Sequence, residues 1–239
     1  MIGPYLNLAT VVVGSSTGAF LGDRISQNLR TRLPMVFGLS AMGLGIATII
    51  RVKYFPAVIL ALLVGTTLGE LLHLEDWIIK LSTHTRTLVD RIAKPRNQAL
   101  SHEEFLNQFV AILVLICSSG TGIFGTMNEA MTGDTSLIIV KSVLDLFSVG
   151  IFATALGYSL VAVAIPNFLI QVALFFLSIW ILPLVSPAMI ADFSAAGGLI
   201  MVATGFRIAG IKHFHVANML PALLLIMPIS FLWARYLVH

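Results

Sequence analysis

Apolar residues in this chain fall in long runs, separated by short charged or glycine- and proline-bearing breaks, and these runs set the first reading. They lie at about Gly3 to Gly22, Pro34 to Ile50, Phe55 to Leu72, Phe105 to Met127, Ser136 to Gly157, Leu160 to Leu182, Ala195 to Ile211 and Val216 to Leu237. Each approaches the ~20 residues that cross a hydrocarbon core, so the pattern predicts an all-α, polytopic transmembrane helix bundle of about eight spans. One region is polar instead. Between Leu74 and Glu104, Leu74, Trp77, Ile78 and Leu81, then Leu88 and Ile92, recur at helical spacing, with Lys80, Arg86, Arg91 and Lys94 on the other faces. That predicts a cytoplasmic amphipathic linker on the anionic leaflet, inside a single integral membrane domain covering residues 1–239.

Composition agrees with the pattern. The 239 residues are 58% hydrophobic and 10% charged, with a mean hydropathy of +0.97, which excludes a water-soluble globular domain. The formal charge of +3 marks cytoplasmic loops in such a chain, so the expected partner is the lipid bilayer and not nucleic acid. A homo-oligomer is compatible with the glycine-rich helix faces. Cys117 is the one cysteine, which rules out an intrachain disulfide and argues against a cysteine metal site. No metal or cofactor is expected.

Basic residues orient the bundle. Arg24, Arg30 and Arg32 follow the first run, and five Lys or Arg lie in the long linker, while the connections near Gly125 to Ser136 and Pro183 to Asp192 have none. The expectation is a multi-pass protein of the bacterial inner (plasma) membrane with both termini outside. The pair Arg51 and Lys53 is the exception. Because no basic residue precedes the first run, that run is expected to stay as a membrane helix and not to act as a signal peptide.

Sliding the chain by 160 residues aligns Gly38–Leu63 with Gly198–Leu223 without a gap. Gly38, Leu39, Gly45, Ala57, Leu60 and Leu63 then meet identical residues. The displacement is an odd five runs, so the two copies would cross in opposite directions, as an inverted repeat. Such repeats characterise transporters, which swap inward-open and outward-open shapes around a central site.

Charge inside hydrocarbon is costly, so each buried ionisable group is a candidate for function or for pairing. Lys141 and Asp145 stand four residues apart on one helical face, with Asp145 ~13 Å into its run. Arg207 and Glu70 complete the charged set; Glu70 reads as interfacial. The run Ser118-Ser119-Gly120-Thr121-Gly122 interrupts the fourth span with poor helix formers, which frees backbone groups to line a cavity. Its GxGxxG spacing lacks the strand-turn-helix setting of a dinucleotide site. The candidate solute-binding residues are therefore Asp145, Lys141, Ser119, Thr121, Gly120, Asn128 and Arg207. Asn7, Asn167 and Asn218 read as helix-to-helix hydrogen bonders. Gly14, Gly18, Gly22, Gly65 and Gly69 read as contact faces. No catalytic set appears, so an enzyme is not expected.

The segments SSGTGIFGTMNEAMTGD (Ser118–Asp134), KSVLDLF (Lys141–Phe147), ADFSAAGGL (Ala191–Leu199) and NMLPALLL (Asn218–Leu225) resemble the YqgA-like bacterial inner-membrane proteins, along essentially the whole chain. That family is catalogued as a domain of unknown function and sometimes labelled as candidate transport proteins. The resemblance implies membrane class and compartment, and brings no substrate. The expectation is a transporter or channel-like protein for a small charged solute, with its site between the broken fourth span and the fifth. The rival is a membrane scaffold or assembly partner working through the basic linker helix.

Overall fold

A computed structural model describes residues 1–24, 26–84, 119–237 and seven positions between Phe105 and Cys117. Residues 85–104, which carry the second half of the expected linker, and Ser118 lie outside the described residues. Every regular element among those described is helical: α1 (Gly3–Leu21), α2 (Gln27–Ile49), α3 (Phe55–Leu71), α4 (Leu74–His84), α5 (Gly120–Thr132), α6 (Ser136–Leu156), α7 (Ala164–Ile181), α8 (Pro187–Ile208), the short α9 (Val216–Met219) and α10 (Pro221–Tyr236). Phe105, Phe109, Ile112 and Ile116 are helical and buried.

Among the described residues, three continuous helical runs are long and apolar enough to cross a membrane: Ser136–Leu184, Pro187–Ile208 and Val216–Tyr236, with mean hydropathies of 2.3, 1.5 and 1.9. The first is broken at Gly157, whose φ of 69° suits glycine, and a 3-10 segment to Val163 leads into α7. Met35–Ile49 and Phe55–Leu71 are shorter apolar helices. Large apolar side chains such as Phe20, Leu39, Leu63, Leu71, Leu169 and Trp180 face outward. In water this surface would drive association; in a bilayer it meets its own solvent.

Helix α8 is the centre of the bundle, 72% of its apolar window being buried against 33% and 44% in the other two runs. Its small residues allow this. A Cβ on Gly198 would fall 2.6 Å from the Gly45 carbonyl oxygen, and one on Gly45 would fall 2.6 Å from that of Gly198; Gly38 and Gly205 oppose each other in the same way. Helices α2 and α8 therefore cross with backbones nearly touching. Gly14 and Gly18 lie against Leu146 and Gly150 of α6, and Gly65 and Gly69 against Ala222 and Asn218. These glycine faces are filled from within the chain.

Buried carboxylates fix the bundle's two ends. Among the helices that start without a side-chain cap of their own are α1 at Ile2, α3 at Tyr54 and α9 at His215. Each of these three receives an acid from elsewhere. Glu129 accepts from Ile2 N at 2.7 Å and Gly3 N at 3.1 Å. Asp192 accepts from Lys53 N at 2.8 Å and Tyr54 N at 2.7 Å through Oδ1, and from the Ser230 hydroxyl at 2.6 Å through Oδ2. Glu75 accepts from Ala217 N at 3.3 Å and pairs with Arg207 at 2.8 Å, while its own N–H donates to Asn218 Oδ1 at 2.8 Å. A carboxylate at a helix start satisfies orphan N–H groups and opposes the positive end of the dipole. One end of the bundle thus gathers Ile2, Arg51 to Tyr54, Glu129 to Asp134 and Asp192; the other gathers Glu70 to Glu75 and Arg207 to His215.

One expectation changes here. Asp192 is not in a connection, because α8 begins at Pro187, with the Ser186 hydroxyl accepting from Met189 N. The linker adds a contact the sequence did not show, since Glu75 of α4 docks on the bundle, 4% exposed, while Trp77 faces outward.

Candidate functional site

The polar centre of the molecule grows from α6. A lysine and an aspartate one turn apart meet on the same face, and Lys141 Nζ donates to Asp145 Oδ2 with both side chains buried. Asn7 of α1 closes the pair, donating from Nδ2 to Asp145 Oδ2 at 2.8 Å. Its Oδ1 then accepts from Asn167 Nδ2 at 2.6 Å and Gln171 Nε2 at 2.7 Å, both on α7, with Lys141 Nζ at 3.5 Å. The network joins three helices, and among the described residues one buried side-chain atom, Gln171 Oε1, is left without a partner. A buried ion pair needs further hydrogen bonds to its members, and Asn7 supplies one to Asp145 Oδ2 here.

Beside the pair lies a cavity of about 280 Å³. Its polar lining is Ser119, Thr121, Lys141, Asp145, Ser148, Arg207 and His213, and Phe37, Ala41, Leu144 and Phe152 are among its apolar walls. The break in the helical path forms part of this wall. Ser119 is extended, with ψ at 118°, and α5 starts at Gly120 with no side-chain cap. Gly122 lets Lys141 pass along the first turn of α5, since a Cβ there would fall 2.6 Å from Lys141 Cε. At the far end Arg207 is held by Glu75, and its Nη1 lies 3.5 Å from the Phe214 carbonyl oxygen.

Of the residues singled out in the sequence, Lys141, Asp145, Ser119, Thr121 and Arg207 line this one cavity; Gly120 begins α5 and is not part of the lining. Asn128 does not join them. It lies toward the Glu129 end, donating to the Asp134 carbonyl oxygen at 3.4 Å beside a separate pocket with Thr48 and Arg51. Glu70 sits at the other end, half-exposed, 3.3 Å from His215. Sequence reasoning missed Glu129, Asp192 and Glu75 as buried caps, and Gln171 and His213 altogether. The signal for the caps was weak: the starts of α1, α3 and α9 lack Ser, Thr, Asp or Asn, but so do those of α7 and α10.

An all-helical bundle with an apolar exterior and a charged, enclosed interior is a membrane protein. The chain belongs to the family described as Protein of unknown function (DUF554), which matches residues 2–231. It is similar to the uncharacterized protein YqgA of Escherichia coli (strain K12), at 44% identity over 236 residues and 99% of each chain. It is also similar to the uncharacterized membrane protein YdfK of Bacillus subtilis (strain 168), at 24% identity across 94% of this chain and 93% of the relative. No solved structure matches.

Proposed function

We propose that this chain is a multi-pass inner-membrane transporter or channel-like protein for a small charged solute, with its site in the cavity beside Lys141 and Asp145. The observation that carries the reading is the cavity itself: polar groups from α5, α6 and α8 converge at a helix break inside an apolar bundle, which is where membrane carriers keep their solutes. An inverted repeat is part of the same proposal. The 160-residue offset carries Gly3–Leu21 onto residues 163–181, where α7 lies, Gln27–Ile49 onto residues 187–209, where α8 lies, and Phe55–Leu71 onto residues 215–231, which α9 and α10 occupy. It pairs Asn7 with Asn167, which bond to each other, and opposes Gly38 to Gly205 and Gly45 to Gly198, a reciprocal contact of the kind a two-fold axis generates. Water access to the cavity tests the proposal. In a Cys117→Ala background, a cysteine replacing Ser148 is expected to react with a small water-soluble thiol reagent in native membranes, while one replacing the fully buried Ser178 is not. Protection of Ser148→Cys from both faces would leave a dry bundle and end the transport reading.

A further inference from the structure

We infer that the groove between α1, α2 and α6 seats one acyl chain of an anionic phospholipid, whose headgroup is held by Arg24 and Arg32. The proposal stands apart from the transport reading, because this groove shares no lining residue with the Lys141–Asp145 cavity. The groove follows from the way α1 and α6 meet. A Cβ on Gly14 or Gly18 would run into the carbonyl oxygen of Leu146 or Gly150, so the two backbones touch and no side chain fills the seam. Beside it the side chains stand apart: Val13 and Thr17 form one wall, Phe147 and Ile151 another, and Leu29 and Leu33 of α2 a third. The space is about 360 Å³, and Thr17 is the one polar side chain in its lining. It runs beside α1 from Val13 to Leu21, a rise of ~12 Å. Val13, Leu29 and Phe147 are half-exposed, so the groove opens on the outer surface of the bundle. In a bilayer that surface meets hydrocarbon, and a slender chain lying in the groove makes the dispersion contacts that an open gap forfeits. A second helix suits it less well. Helices associate in lipid through small residues that let backbones approach, and Gly14, Gly18 and Gly150 are already used within this chain.

Charge selects the lipid. On its Leu21 and Leu29 side the groove runs into the connection of residues 22–33, which carries Arg24, Arg30 and Arg32 against one acid, Asp23. Arg24 and Arg32 are exposed. The Arg24 guanidinium lies 5.9 Å over the ring of Phe20, an outward-facing residue that directly precedes Leu21 of the groove. Arg32 directly precedes Leu33, another residue of the lining. A guanidinium binds phosphate oxygens two at a time, and each arginine near a membrane surface adds attraction for anionic lipid. Phosphatidylglycerol sets a net negative phosphate at this mouth with its chain in the groove. Phosphatidylethanolamine carries the same chains and phosphate, together with an ammonium that the arginines oppose.

The test uses the full-length protein, purified and delipidated in detergent, titrated with dioleoyl phosphatidylglycerol or dioleoyl phosphatidylethanolamine and read by native mass spectrometry, which counts the lipids bound to each copy. Phosphatidylglycerol is expected to fill one site at least about tenfold more tightly than phosphatidylethanolamine. Arg24→Gln together with Arg32→Gln should erase that preference. Thr17→Phe, which fills the groove from an exposed position and leaves the arginines in place, should weaken both lipids. Arg24 and Arg32 are exposed, so their double variant folds like the parent and carries the test even where Thr17→Phe does not. Equal affinity of the parent for the two lipids, or a preference that survives the double variant, would overturn the headgroup assignment. Parental phosphatidylglycerol binding by a folded Thr17→Phe would overturn the groove. Displacement of the lipid by inorganic phosphate at matched ionic strength would show a free anion held by the arginines, without any part for the chain, and overturn the lipid. A dimer of the lipid-free protein that Thr17→Phe splits into monomers would assign the groove to a second copy and overturn the inference outright.

Discussion

Asp192 is fully buried, yet each of its carboxylate oxygens has a donor: two backbone amides at one and a serine hydroxyl at the other. Hydrogen bonds to a charged acceptor contribute about 1.5–3 kcal/mol each, and removing the acceptor leaves its donors stranded. Asp192→Ala is therefore expected to cost at least about 3 kcal/mol and to lower the thermal midpoint of the purified protein by several degrees, whereas Ser230→Ala, which removes one donor, should cost less, about 1.5 kcal/mol. A midpoint for Asp192→Ala equal to that of the parent would mean that the acid does not hold the start of α3. The Lys141–Asp145 pair behaves differently because both partners can be removed. Asp145→Asn leaves a buried ammonium and should destabilise strongly, while adding Lys141→Met should restore most of the loss, since replacing both charges of a buried pair is often close to neutral. A double variant no more stable than the single would assign the stability to Asn7 and its amide network. At this scale the sequence made the pair legible, because four-residue spacing on a helix is local. It hid the partners of Glu129 and Asp192, which lie 127 and 139 positions away.

Helices meet by their small residues, and α2 contains its own control. Gly43 and Gly45 stand two positions apart on α2; a Cβ on Gly43 would meet nothing within 4 Å, and one on Gly45 would strike the Gly198 carbonyl at 2.6 Å. Gly43→Ala should be neutral or stabilising by up to about 1 kcal/mol, from helix propensity alone. Gly45→Ala should cost about 1–3 kcal/mol by forcing α2 away from α8. Equal midpoints for the two would show that the close crossing does not contribute to stability. Element ends were legible wherever hydropathy alone sets them: α1, α3, α6 and α10 end within a residue or so of the apolar runs. They were not legible at α8 or α2. Helix α8 starts eight residues before its apolar run, because Asp192 reads as a loop residue until its three donors are known, and α2 starts among the arginines that follow the first run. Hydropathy reports what a residue would prefer in isolation, and these residues are not isolated.

The two ends of the whole molecule tie its topology into one measurable prediction. Glu129 on the start of α1, Arg51 near Asp134, and Asp192 on the start of α3 hold Ile2, Arg51 to Tyr54, residues 129–134 and the beginning of α8 together. Glu75 with Arg207 and Ala217, and Glu70 with His215, hold α4 and the α8–α9 connection at the opposite end. The end with Glu75 carries Arg24, Lys80, Arg207 and Lys212, and the other carries three buried or paired acids beside Arg51, Lys53 and Arg235. A basic excess marks the cytoplasmic face, so the prediction is that the Glu75 end lies inside and the Glu129 end outside. In a Cys117→Ala background, single cysteines at Thr132 and Leu184, both exposed, should be labelled in intact cells by an impermeant thiol reagent, and one at Lys212, also exposed, should be labelled only after the membrane is opened. Labelling of Lys212→Cys alone in intact cells would reverse the orientation and keep the fold. Labelling that separates Thr132 from Leu184 would break the grouping of the ends, and with it the opposed crossings on which the inverted repeat depends.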